Sequence, residues 1–62
     1  MMSTFEINGF TVQIVKVDGE FEATAYRQGV FETGKSGFET YEAAVKWITE
    51  EIESNEIQPL LG

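Results

Sequence analysis

The strongest chemical suggestion in this chain comes from one run of residues. Gly29-Val30-Phe31-Glu32-Thr33-Gly34-Lys35-Ser36 spells G-x-x-x-x-G-K-[ST], the pattern of a phosphate-binding P-loop. That chemistry needs backbone amides wrapped around phosphate, and a helix that opens directly from the loop with its N-terminus facing the ligand. Here Val30 to Thr33 read as a strand, Gly37 follows the Lys-Ser pair, and the first helix signal comes only near Thr40. A chain of 62 residues also has no room for the parallel sheet and the acidic, Mg²⁺-holding strand of such enzymes. The string is read as a chance match inside a strand.

Carboxylates are the second candidate. From Glu39 to Glu56 there are six glutamates and one lysine, so five of the seven net negative charges fall in this stretch. Glu50, Glu51 and Glu53 are close in sequence but point different ways around a helix, whereas a hard cation wants six or more converging oxygens. The chain has no cysteine and no histidine, which removes thiolate and imidazole ligands and the commonest nucleophiles and bases. We expect no enzyme, no catalytic residue, no metal site and no cofactor. The glutamates suit a different role, because carboxylates spread along a rigid helix imitate backbone phosphates and fit a basic groove. Glu42, Glu50, Glu53 and Glu56 are the residues this reading selects for partner binding.

The elements that position these groups are legible from turns and periodicity. Asn8-Gly9, Asp18-Gly19 and Gln28-Gly29 recur every ten residues, and the first two favour two-residue type I′ hairpins. Such loops pair Ile7 with Phe10 and Phe5 with Val12, then Val17 with Glu20, Ile14 with Ala23 and Val12 with Ala25. One face then collects Phe5, Ile7, Phe10, Val12, Ile14, Phe21, Ala23 and Ala25. The other face is polar apart from Val15, Val17 and Tyr26, which form a second candidate docking or dimer surface, together with an exposed sheet edge. For the third turn a three-residue loop, Arg27-Gln28-Gly29, is expected, because it pairs Ala25 with Phe31 and turns Phe31 inward. The fourth strand is expected to run from Val30 to Gly34, ended by the loop Gly34-Lys35-Ser36-Gly37.

Thr40 is the expected N-cap of a helix, with Glu42 in its first turn. Tyr41, Ala44, Val45, Ile48 and Ile52 fall on one face at helical spacing, and Trp47 flanks that stripe. The fold expected is α+β: an antiparallel β-meander of three to four strands with one C-terminal amphipathic helix packed on one face, in the order β-β-β-β-α. Residues 1–62 make a single domain, with the sheet at about 4–35, the helix at about 41–54 and a tail at 55–62. Pro59 stops the helix, and Ile57, Leu60 and Leu61 either fold back or reach a partner.

A chain this small buries only about 60% of its unfolded surface, so association is one route to further burial. A net charge of −7 repels nucleic acid and favours a basic protein partner. The N-terminus lacks a signal-peptide pattern and no apolar run suits a membrane span, so no membrane contact and a cytoplasmic location are expected.

Two resemblances add to this reading. From Asp18 to Ile52, Gly19-Glu20-Phe21-Glu22-Ala23 and Gly37-Phe38-Glu39-Thr40-Tyr41-Glu42-Ala43-Ala44 resemble the N-terminal domain of HicB-type antitoxins over about half the chain. In size and charge the chain resembles the small acidic proteins with which phages inhibit host nucleases and other defence enzymes. The latter implies an inhibitor, encoded by a phage or mobile element and acting in the host cytoplasm, that occupies a basic surface of a nucleic-acid-handling or defence protein. The former implies an antitoxin-like or structural interaction protein that forms a homodimer or docks through its sheet face and edge.

Overall fold

Each of the three X-Gly dipeptides places both of its residues at positive φ: Asn8 47° and Gly9 85°, Asp18 52° and Gly19 82°, Gln28 53° and Gly29 81°. Paired positive φ is the signature of the type I′ turn, whose twist matches that of the flanking strands. In the computed structural model, which describes residues 2–57 and the side chains of residues 2–54, these turns link β1 (Met2–Ile7), β2 (Phe10–Val17), β3 (Glu20–Arg27) and β4 (Val30–Phe38). The four strands form one antiparallel sheet in the order β1-β2-β3-β4, followed by a single helix, α1 (Tyr41–Ile57). The fold is thus the α+β meander that the turn spacing predicts.

The first two hairpins have the expected registers, with Ile7 opposite Phe10, Phe5 opposite Val12, Val17 opposite Glu20 and Ile14 opposite Ala23. The third departs from expectation. Its loop is two residues long, with Arg27 opposite Val30 and Tyr26 opposite Phe31, so Phe31 faces outward rather than into the core. The register then shifts once, pairing Ala25 with Thr33 and leaving Glu32 as the extra residue. A bulge one step beyond a tight turn has replaced the longer loop.

A second shift lies between Phe21 and Ala23, where Gly37 adopts φ 91°. It turns Phe38 back to the inner face, where its ring meets Trp47 at 5.8 Å. The segment Gly34-Lys35-Ser36-Gly37 is therefore strand and not a terminating loop, and the sheet spans residues 2–38 rather than about 4–35.

Thr40 caps the helix as its side chain predicts: its Oγ1 accepts from the Ala43 amide at 3.1 Å, and its carbonyl accepts from the Ala44 amide at 3.3 Å. Ala44, Ile48 and Ile52 are fully buried against Phe10, Val12, Ile14, Ala23 and Ala25. Phe5, Ile7, Phe21, Phe38, Tyr41, Val45 and Trp47 pack half-buried around this core. Small Ala23 and Ala25 on the central strand β3 let the helix approach closely. Every buried residue among those described is apolar. The helix continues to Ile57, past the expected end near residue 54. The expected behaviour of Leu60 and Leu61 falls outside the described residues.

Candidate interaction surfaces

Helical geometry puts Glu42, Lys46, Glu50 and Glu53 within about a quarter-turn of one another, on the side of α1 away from the sheet. All four are exposed. Glu42 to Glu53 spans about 16 Å along the axis at 1.5 Å per residue. Three of the four glutamates selected from sequence thus share one solvent-facing stripe, interrupted by Lys46. Glu56 lies in the last turn of the helix, and its side chain falls outside the described residues.

The remaining cations are placed quite differently. Lys16 Nζ sits 5.6 Å from the centre of the Phe21 ring, and Arg27 Cζ lies 4.3 Å from that of Phe10. Lys35 Nζ is held over both Phe38 and Trp47, at 5.7 Å and 5.8 Å. The register puts all three on the helix-bearing face of the sheet, because Lys16 pairs with Phe21, Arg27 follows Ala25 by two, and Lys35 pairs with Ala23. Three of the chain's four cations therefore cover the rim of the core with their stems and charges. No local pattern announces this arrangement, since Arg27 and Phe10 meet only through the β2–β3 register.

The outer sheet face carries Glu6, Glu20 and Glu22 and no Lys or Arg. Its apolar residues fall into two groups. Met2 opposes Val15, with exposed Val17 beyond it, at one end; Tyr26 opposes Phe31 at the other. The row Thr4, Gln13, Thr24 and Gly34 runs between them, and Val15 and Tyr26 are two rows apart, about 13 Å along the strands. Val15, Val17 and Tyr26 thus share a face without forming one continuous patch. Phe31, 59% exposed and missed by the sequence reading, is the larger feature: it meets Tyr26 edge-on at 6.2 Å.

The P-loop-like string runs from the third turn into β4, so the amides of Val30 to Ser36 belong to a strand and the next helix begins only at Tyr41. That geometry is not a phosphate cradle. Among the described residues, no group of three or more His, Cys, Asp or Glu is arranged to hold a metal ion, and no helix is long and apolar enough to cross a membrane. No protein-family model matches the chain, and neither a curated protein nor a solved structure matches it.

Proposed function

We propose that this domain is a non-enzymatic binding module that engages a basic protein surface through the carboxylate stripe of its helix. The observation that carries this reading is the segregation of charge. Lys16, Arg27 and Lys35 are exposed but lie over aromatic rings at the core rim, away from the helix stripe, which therefore presents Glu42, Glu50 and Glu53 against a single lysine. A field of one sign on a rigid helix raises encounter rates with an oppositely charged partner and rejects nucleic acid. An inhibitor of a nucleic-acid-handling or defence protein, encoded by a phage or mobile element, is the role that fits this profile.

The test is affinity capture from the source cell with the wild-type chain and with Glu50→Lys/Glu53→Lys. A basic partner retained by the wild type, lost on charge reversal and released by raised salt supports the reading. A partner indifferent to both changes sinks it.

A second reading, an antitoxin-like or structural protein that dimerises through its sheet, draws support from exposed Met2, Val17 and Phe31 on the outer face. Against it, face-to-face pairing brings Glu6, Glu20 and Glu22 of both copies into one interface with no Lys or Arg on that face to offset them, and like charges gathered across an interface are destabilising. Light scattering coupled to size exclusion separates the two, since this second reading requires a dimer that Val17→Glu dissolves.

A further inference from the structure

The outer face of β3 and β4 contains a shallow notch beside Gly34. Gly34 stands opposite Thr24. A Cβ at this position would come within 3.2 Å of both Phe31 Cε1 and the Ala23 carbonyl oxygen, so the Phe31 ring lies along the strand in space that a side chain would take. The depression has a volume of about 270 Å³, and Glu22, Thr24, Phe31 and Ser36 line it around the glycine. It is shallow and open to solvent, so it suits a side chain laid across the sheet surface rather than an enclosed small molecule.

Its chemistry is specific. One wall is the Phe31 ring, braced edge-on by Tyr26 at 6.2 Å. Half-buried Glu22 borders it on another side, as do Thr24 and Ser36, whose side chains carry hydroxyls that can accept. Lys35 also borders the notch, but its Nζ is held over Phe38 and Trp47 on the helix side. An anion is opposed by Glu22. A planar cation that stacks on an aromatic ring while donating to a carboxylate and to hydroxyls satisfies every wall, and guanidinium does this better than ammonium.

We propose that this notch binds an arginine side chain presented by a basic protein partner. The proposal takes the sign of the partner from the function proposed above, but places this contact on the face of the molecule opposite the helix stripe.

The test is titration of the ¹⁵N-labelled full chain with oligoarginine and oligolysine peptides of equal length, followed by amide shifts. The expected result is that oligoarginine moves Thr24, Phe31, Gly34 and Ser36 most and binds several-fold tighter than oligolysine. Glu22→Gln, nearly isosteric, should weaken oligoarginine by roughly two- to five-fold, as the loss of an exposed ion pair implies. Phe31→Ser, at an exposed position, should weaken it by a similar factor through the lost cation–π contact. Shifts confined to the Glu42–Glu53 stripe, with both variants binding as the wild type does, overturn the notch and leave the acidic-helix reading standing. If neither peptide shifts any residue, both fall.

Discussion

Replacement of Gln28 tests the least expected feature of the fold. In the two-residue turn Gln28 holds φ 53°, a left-handed conformation that costs an L residue about 1–2 kcal/mol. Asparagine tolerates that region through local hydrogen bonding, so Gln28→Asn should stabilise the chain by about 0.5–1 kcal/mol. Gln28→Gly removes the steric penalty but returns about 0.5–1 kcal/mol of backbone entropy to the unfolded chain, for a net gain near 0.5 kcal/mol. Gln28→Pro, locked near a φ of about −65°, should be strongly destabilising. At about 4–8 °C per kcal/mol for a domain this small, Gln28→Asn should raise Tm by about 2–8 °C. Thermal and urea unfolding followed by circular dichroism and by the fluorescence of half-buried Trp47 measure this directly. In a three-residue loop, Gln28 would hold an ordinary negative φ. Asparagine would then be neutral and glycine would cost stability, and that pair of results would refute the turn and with it the outward placement of Phe31.

The same assays check four further expectations. Thr40→Ala removes the bond to the Ala43 amide and should cost about 1 kcal/mol, whereas Thr40→Ser should retain most of it. Ile48→Ala, at a fully buried helix position, should cost about 2–5 kcal/mol, enough to unfold much of a domain whose whole stability is expected near 3–9 kcal/mol. Arg27→Gln, which strips the cation from the Phe10 ring 4.3 Å away, should cost about 0.5–1 kcal/mol. Added salt should raise Tm, because screening relieves the self-repulsion of a chain at −7.

Period and turn chemistry make most of the fold legible in the sequence. Asn8-Gly9 and Asp18-Gly19 each set a register, and both registers bring Phe10, Val12, Ile14, Ala23 and Ala25 to one face. Thr40 and the stripe from Tyr41 to Ile52 do the same for the helix. The fourth strand differs from expectation because a single parity does not hold along it. Two bulges, at Glu32 and Gly37, reverse that parity twice, so Thr33 and Lys35 face in although Phe31 faces out, and Phe38 faces in with Lys35 although it lies three residues further on. The signal that points the right way is the even ten-residue spacing of the three X-Gly pairs, which favours three like turns. For the surfaces, the glutamates of the helix stripe follow from helical spacing alone. The rim of cation–aromatic contacts and the Gly34 notch do not, because both depend on side chains that meet across strands.

The central claim, that the helix stripe is the binding surface, is tested most directly by carboxyl footprinting of the chain alone and in complex with its captured partner. Carbodiimide labelling read by mass spectrometry reports each carboxylate separately. Protection of Glu42, Glu50 and Glu53 on binding, with Glu6 and Glu20 of the outer sheet still labelled, is the predicted result. Unchanged labelling of the helix glutamates in a formed complex would contradict it.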